Sequence, residues 1–224
     1  MPRGKIQEYN QVYVWELPVR LLHWLNFATT LVLIATGFLI ADPPALQSSR
    51  EASSLFGFGG VRFIHFMAGY VFLLGFAGRM YWGFAGNQFV RWRNFLPLTG
   101  RKWKEVWKVI CLDVLQICKL PVESVASNAL AGIIYASVFL LMLFQIVTGF
   151  ALYAGMSHGG FAGLFSWVIP LAGSEAVVRQ WHHLASWLFI VFILGHVYLS
   201  FYHDYLEGRG TISSIVGGWK FIEK

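Results

Sequence analysis

Four apolar stretches limit what this chain can become: Leu21 to Ala41, Phe63 to Phe84, Leu130 to Ala154 and Trp181 to Tyr202. Each is roughly 20 residues long, and at ~1.5 Å of rise per residue a helix of that length crosses the ~30 Å hydrocarbon core of a bilayer. A soluble globule is excluded, because 57% of the 224 residues are hydrophobic and only 12% are charged, about half the charge that a water-facing surface carries. The chain therefore reads as one all-α membrane domain over residues 1–224, a four-transmembrane-helix bundle with short amphipathic interfacial helices. Two apolar segments are too short or too amphipathic to span. One is Phe161 to Leu171, which could lie on the bilayer or against a partner. The other, Trp103 to Leu120, places Trp103, Val106, Trp107, Ile110, Val114 and Ile117 three to four apart between charged residues, as an interfacial helix does. A polar stretch precedes the first span, which is too long for the apolar region of a cleavable signal and is expected to stay in the membrane.

Lys and Arg sort by loop. Of the seventeen, fourteen fall in the N-terminal segment, in the stretch from Arg79 to Lys119, or from Arg209 onward, whereas Arg50, Arg62 and Arg179 lie in the other two loops. The excess marks the cytoplasmic side, so both termini and the middle loop are assigned there, in a multi-pass protein of the inner (cytoplasmic) membrane. The net charge of +6 then reflects topology and contact with membrane lipid, with no nucleic-acid partner. Cys111 and Cys118 are the only cysteines, which excludes an iron–sulfur ligand set, a zinc ribbon and a disulfide framework. No C-x-x-C-H occurs, so any haem would be held without covalent attachment, as a b-type group.

An ionisable side chain inside a membrane is costly and marks a functional site. His23, His65, His182 and His196 lie in or at the edge of the spans. With the termini inside, His23 sits near the cytoplasmic end of the first span and His65 near the outer end of the second. The fourth span carries His182 near the outside and His196 fourteen residues deeper, a rise of ~21 Å with the two side chains within ~40° of one face. His183 would point ~140° away from His196 and is excluded. Depth then pairs His65 with His182 and His23 with His196. Two facing histidines without a carboxylate or thiolate suit the axial positions of a haem, whereas zinc would need further ligands. Gly69 and Gly195 adjoin the ligands where a macrocycle could pack. Arg20, Arg62 and Arg179 each precede a histidine by three residues, and Arg79 lies fourteen after His65; all four are candidates for haem propionates, with headgroup contact as the alternative. His158 and His203 are assigned to solvent, and Trp15, Trp24, Tyr81, Trp82, Tyr153 and Trp181 to an aromatic belt. No activated nucleophile or nucleotide loop is present, so no catalytic residue is assigned.

The stretches YVWELPVRLLHW (Tyr13 to Trp24), VRFIHFMAGYVF (Val61 to Phe72), GRMYWGFAGN (Gly78 to Asn87), TGFALY (Thr148 to Tyr153) and QWHHLASWLFIVFILGHVYLSF (Gln180 to Phe201) resemble the cytochrome b subunit of membrane-bound uptake nickel–iron hydrogenases. More distantly, they are similar to formate dehydrogenase cytochrome b subunits. The resemblance implies two b haems that carry electrons from a small iron–sulfur subunit, whose large partner splits hydrogen at nickel–iron, to quinone. The chain would be a non-catalytic electron-transfer subunit that anchors a periplasmic enzyme. It departs from the family before the third span, where KLPVESVASNALAG keeps Pro121 and Asn128 but lacks the family's histidine and second proline, so no quinone-binding residue is assigned. Two other readings stay open: the same module serving a different periplasmic dehydrogenase or reductase, and a non-redox protein whose histidines bind zinc or conduct protons.

Overall fold

The computed structural model describes residues 9–43, 57–95, 100–111, 129–157 and 160–223. Arg3, Lys5, Arg50, Cys118, His158 and the segment containing Pro121 and Asn128 lie outside the described residues, as does the second half of the expected interfacial helix. The elements in order are β1 (Tyr9–Tyr13), α1 (Leu17–Ala41), α2 (Gly57–Ala85), α3 (Trp92–Phe95), α4 (Gly100–Val109), α5 (Ala129–Ala154), a 3-10 helix (Phe161–Phe165), α6 (Val168–Ala172), α7 (Glu175–Glu207), α8 (Thr211–Gly217) and β2 (Trp219–Glu223).

The four expected spans are α1, α2, α5 and α7, each long and apolar enough to cross a membrane. Their apolar centres coincide with the sequence reading, but three helices begin earlier than the apolar runs do. Backbone hydrogen bonding continues beyond the hydrocarbon, so α1, α2 and α7 start before Arg20, Arg62 and Arg179. Pro18 falls in the first turn of α1, where a missing N–H costs nothing.

Backbone contacts divide the chain into two compact units. The first comprises residues 1–21, 79–139 and 192–224 and contains a feature absent from the sequence reading. Here β1 pairs antiparallel with β2, with Tyr9 opposite Glu223 and Tyr13 opposite Trp219. Tyr13 and Trp219 also stack at a tilt, with ring centroids 5.0 Å apart. Gly218 turns the chain from α8 into β2 at φ +93°, a conformation open to glycine, and its carbonyl accepts hydrogen bonds from the N–H groups of Val14 (2.9 Å) and Trp15 (3.1 Å). Glu16 ties α1 to the end of α2, because its Oε2 accepts from Trp82 Nε1 and from the backbone N–H of Asn87, both at 2.9 Å. Asn87 in turn donates to the carbonyl of Val14 at 3.0 Å. The three Lys- and Arg-rich segments thus belong to one unit.

Two readings of exposed apolar surface change. In α4, Val106 and Val109 are buried while Trp103 and Trp107 are exposed. The buried stripe is therefore narrower than the spacing suggested, with the two indoles flanking it. Of the six belt aromatics, Trp24, Tyr81 and Trp181 are exposed. Trp15 instead donates to Ser214 Oγ at 3.2 Å, Trp82 serves Glu16, and Tyr153 lies 4.4 Å from the Phe66 ring.

The second unit comprises residues 22–78 and 140–191. The 3-10 helix and α6 fold onto α5 and α7, and Ala151, Val168 and Val178 form a buried cluster flanked by Phe165 and Ile169. Phe161 and Phe165 pack on Phe150 at 5.3 and 5.5 Å. The Phe161 to Leu171 stretch is thus bound to its own chain, leaving Leu164, Trp167 and Leu171 exposed.

Replacing Glu16 by Ala strands two donors in a partly buried place, which costs about 1–3 kcal/mol per unmet group. Glu16→Ala should lower the melting temperature of the detergent-solubilised protein clearly. Glu16→Gln, which keeps a carbonyl acceptor, should lower it less.

Candidate functional site: a paired-histidine centre

The second unit holds His65 on α2 and His182 on α7. Each ring is met by a threonine from the neighbouring helix. Thr36 Oγ1 on α1 lies 2.8 Å from His65 Nδ1, and Thr148 Oγ1 on α5 lies 2.8 Å from His182 Nδ1. Each threonine also back-bonds to its own helix, Thr36 to the Val32 carbonyl at 2.6 Å and Thr148 to the Phe144 carbonyl at 2.7 Å. A glycine follows each threonine. A Cβ at Gly37 would lie 3.4 Å from His65 Cε1, and one at Gly149 would lie 3.1 Å from His182 Cε1, so each imidazole rests on bare helix backbone. Gln145, one turn before Thr148, donates from Nε2 to the His182 carbonyl at 3.1 Å.

The neighbouring His183 is differently engaged. Its Nε2 accepts from Trp187 Nε1 at 3.3 Å, and its ring meets Phe38 edge-on at 5.1 Å. His23 also belongs to the second unit, edge-on to Trp24 at 5.3 Å. In the first unit, His196 stacks on Phe192 at 5.4 Å and meets Tyr135 at 6.2 Å. One uninterrupted helix, α7, carries His182 and His196, as the fourteen-residue spacing requires.

The four arginines have diverse surroundings. Arg79 is 7% exposed and lies in the first unit between the rings of Trp92 (5.3 Å) and Phe139 (5.4 Å). Arg62 is exposed over Phe58 at 5.9 Å. Arg20 donates to the Val216 carbonyl, and Arg179 pairs with Glu175 one turn back on α7. Among the described residues no three His, Cys, Asp or Glu side chains converge as a metal cage.

A family model described as prokaryotic cytochrome b561 matches residues 14–218. The chain belongs to that family. It is 39% identical over 224 residues to the probable Ni/Fe-hydrogenase B-type cytochrome subunit of Azotobacter chroococcum mcd 1, covering 98% of this chain and 92% of the relative. It is 34% identical over 216 residues to the probable Ni/Fe-hydrogenase 1 B-type cytochrome subunit of Escherichia coli (strain K12), covering 93% and 90%.

As a b-type cytochrome of the membrane, this b561-family protein binds haem b and transfers electrons. The residues present fit that group. The His65 and His182 rings turn Nδ1 to threonine, which leaves Nε2 of each for iron, and a Cβ at Gly69, one turn from His65, would meet open space. A Cβ at Gly195, beside His196, would likewise meet nothing within 4 Å. Sequence reasoning missed Thr36, Thr148 and Gln145. The signal for the first two was present, since Thr-Gly-Phe occurs at 36–38 and again at 148–150.

Gly149→Ala should lower haem content, measured as pyridine haemochrome per protein, more than Gly37→Ala, because its methyl comes closer to the imidazole. His183→Ala should leave haem content unchanged, since Trp187 occupies its Nε2; equal loss in His183→Ala and His182→Ala would contradict this.

Proposed function

We propose that this protein is the di-haem membrane subunit of a nickel–iron hydrogenase, anchoring a periplasmic enzyme and passing electrons from its iron–sulfur small subunit to quinone. The observation that carries the reading is the pair of imidazoles offered by α2 and α7, each hydrogen-bonded through Nδ1. The hydrogenase is that of the relatives, B-type cytochrome subunits of Ni/Fe-hydrogenases matched over nearly the whole chain. When bound, haem b supplies a one-electron centre, and two at different depths would span the membrane.

His65 and His182 would ligate the outer haem. His23 and His196 would ligate the inner one, a pairing that rests on sequence depth. Arg62, three residues before His65, and Arg79, buried in the unit that holds His196, are the propionate partners we favour. Arg20 and Arg179 stand behind them, each with a bond to Val216 or Glu175. The Lys- and Arg-rich unit with the paired strands would face the cytoplasm. The opposite side would then receive the small subunit, where Leu164, Trp167 and Leu171 are exposed close in sequence to His182. Quinone would be reduced near the inner haem.

Haem quantification with a reduced-minus-oxidised spectrum on the purified protein tests the reading. The wild type should contain two b haems. His65→Ala and His196→Ala should each lose a different one, distinguishable by midpoint potential. A single haem in the wild type, or both haems surviving in His65→Ala, would overturn the assignment.

A further inference from the structure

Each of the two threonines at the His65–His182 centre has one hydroxyl proton and three nearby groups that could take it: a close carbonyl of its own helix, a second carbonyl at 3.4 Å and an imidazole nitrogen. A backbone carbonyl can only accept, so the proton of Thr36 goes to the Val32 carbonyl at 2.6 Å and that of Thr148 to the Phe144 carbonyl at 2.7 Å. Back-bonding of this kind is ordinary for threonine in a helix. Its consequence here is less ordinary, because each hydroxyl oxygen is left with lone pairs only and an imidazole nitrogen 2.8 Å away. The contact is a hydrogen bond only if Nδ1 carries the proton and donates it. Both histidines are thereby fixed as the Nδ1–H tautomer, with the Nε2 lone pair outward. The surroundings allow no easy substitute, since Thr36 is 8% and Thr148 4% exposed.

We propose that Thr36 and Thr148 are the positioning residues of the His65–His182 centre, each holding its imidazole in the metal-binding tautomer and making it a stronger electron donor, so that together they depress the potential of the haem bound there. The proposal rests on His65 and His182 being the ligands. The physical basis is general: a ligating histidine whose second nitrogen donates a hydrogen bond is more basic, and more basic ligands favour the ferric state. The carbonyl, hydroxyl and imidazole form a chain in which each bond polarises the next. Gly37 and Gly149 complete the device, since a side chain there would crowd the ring against which the hydroxyl acts. The same triplet, Thr-Gly-Phe, serves α2 from α1 and α7 from α5, so both axial sides are treated alike.

The test compares Thr36→Val, Thr148→Val and the double variant with Thr36→Ser and Thr148→Ser, all as the full-length purified cytochrome. The readouts are equilibrium redox titration and low-temperature EPR of the oxidised haems. Valine keeps the shape and removes the acceptor. Each Val variant should raise the midpoint potential of one haem and shift its EPR g-values, the double variant more so, while the other haem is unmoved and both Ser variants behave as wild type. Val variants with unaltered potentials and g-values would overturn the proposal. If a Val variant loses the haem outright, recovery of that haem in the Ser variant supports the hydroxyl, and loss in both assigns the effect to packing and overturns it. His65→Ala and His182→Ala run in parallel: both haems surviving in either would remove the ligand reading itself, whereas haem loss in the alanines with unmoved Val variants would remove only the role of the threonines.

Discussion

Hydrocarbon offers no hydrogen bonds, and every polar group that enters it must bring its partner from within the chain. The backbone meets this condition by forming helices, which is why four segments of this protein are helical whatever their intrinsic propensities. The side chains meet it case by case. Thr36, Thr148 and Gln145 are each bonded to a carbonyl, and the imidazoles of His65 and His182 take what the threonines leave. The centre is thus a residue of the satisfaction problem: once each hydroxyl proton goes to a carbonyl, only one nitrogen of each ring remains for anything else.

The same condition explains the contrast between the two units. In the second, most of the side-chain bonds are local, as those of Thr29, Thr30 and Ser186 to carbonyls of their own helix are, and those at His65 and His182 reach across helices amid packing such as Phe72 with Phe189. In the first, hydrogen bonds are long-range and mixed, joining Glu16 to Trp82 and Asn87, Trp15 to Ser214, and Arg20 to Val216. Such a network suits a region bordering water, where partners need not all be internal and where indoles find both an apolar body and a polar acceptor.

The spans were legible because hydropathy over ~20 residues is a strong signal in any context. The helix ends were not, since a helix outlasts the hydrocarbon by a turn or two and hydropathy does not register those turns. Depth and helical angle placed His65 and His182 at one level in the sequence reading, and both fall in the second unit, each beside a threonine. The threonines escaped because Thr in an apolar span reads as neutral filler. Only its repetition with the following Gly and Phe distinguishes it, and that requires comparing two helices rather than scanning one. The partners of Trp15 and Trp82 were not legible either: position near a span end says that an indole N–H wants a partner, but not whether that partner is a headgroup or a side chain such as Ser214 or Glu16.

The strands β1 and β2 stand at opposite ends of the described chain and pair with each other residue for residue. During synthesis, Tyr9 to Tyr13 emerge first and have no partner until Trp219 to Glu223 follow. All four spans must therefore leave the ribosome before this sheet can form. The segment made first is therefore settled last, and the ladder from Tyr9 to Tyr13 waits on residues made more than two hundred positions later.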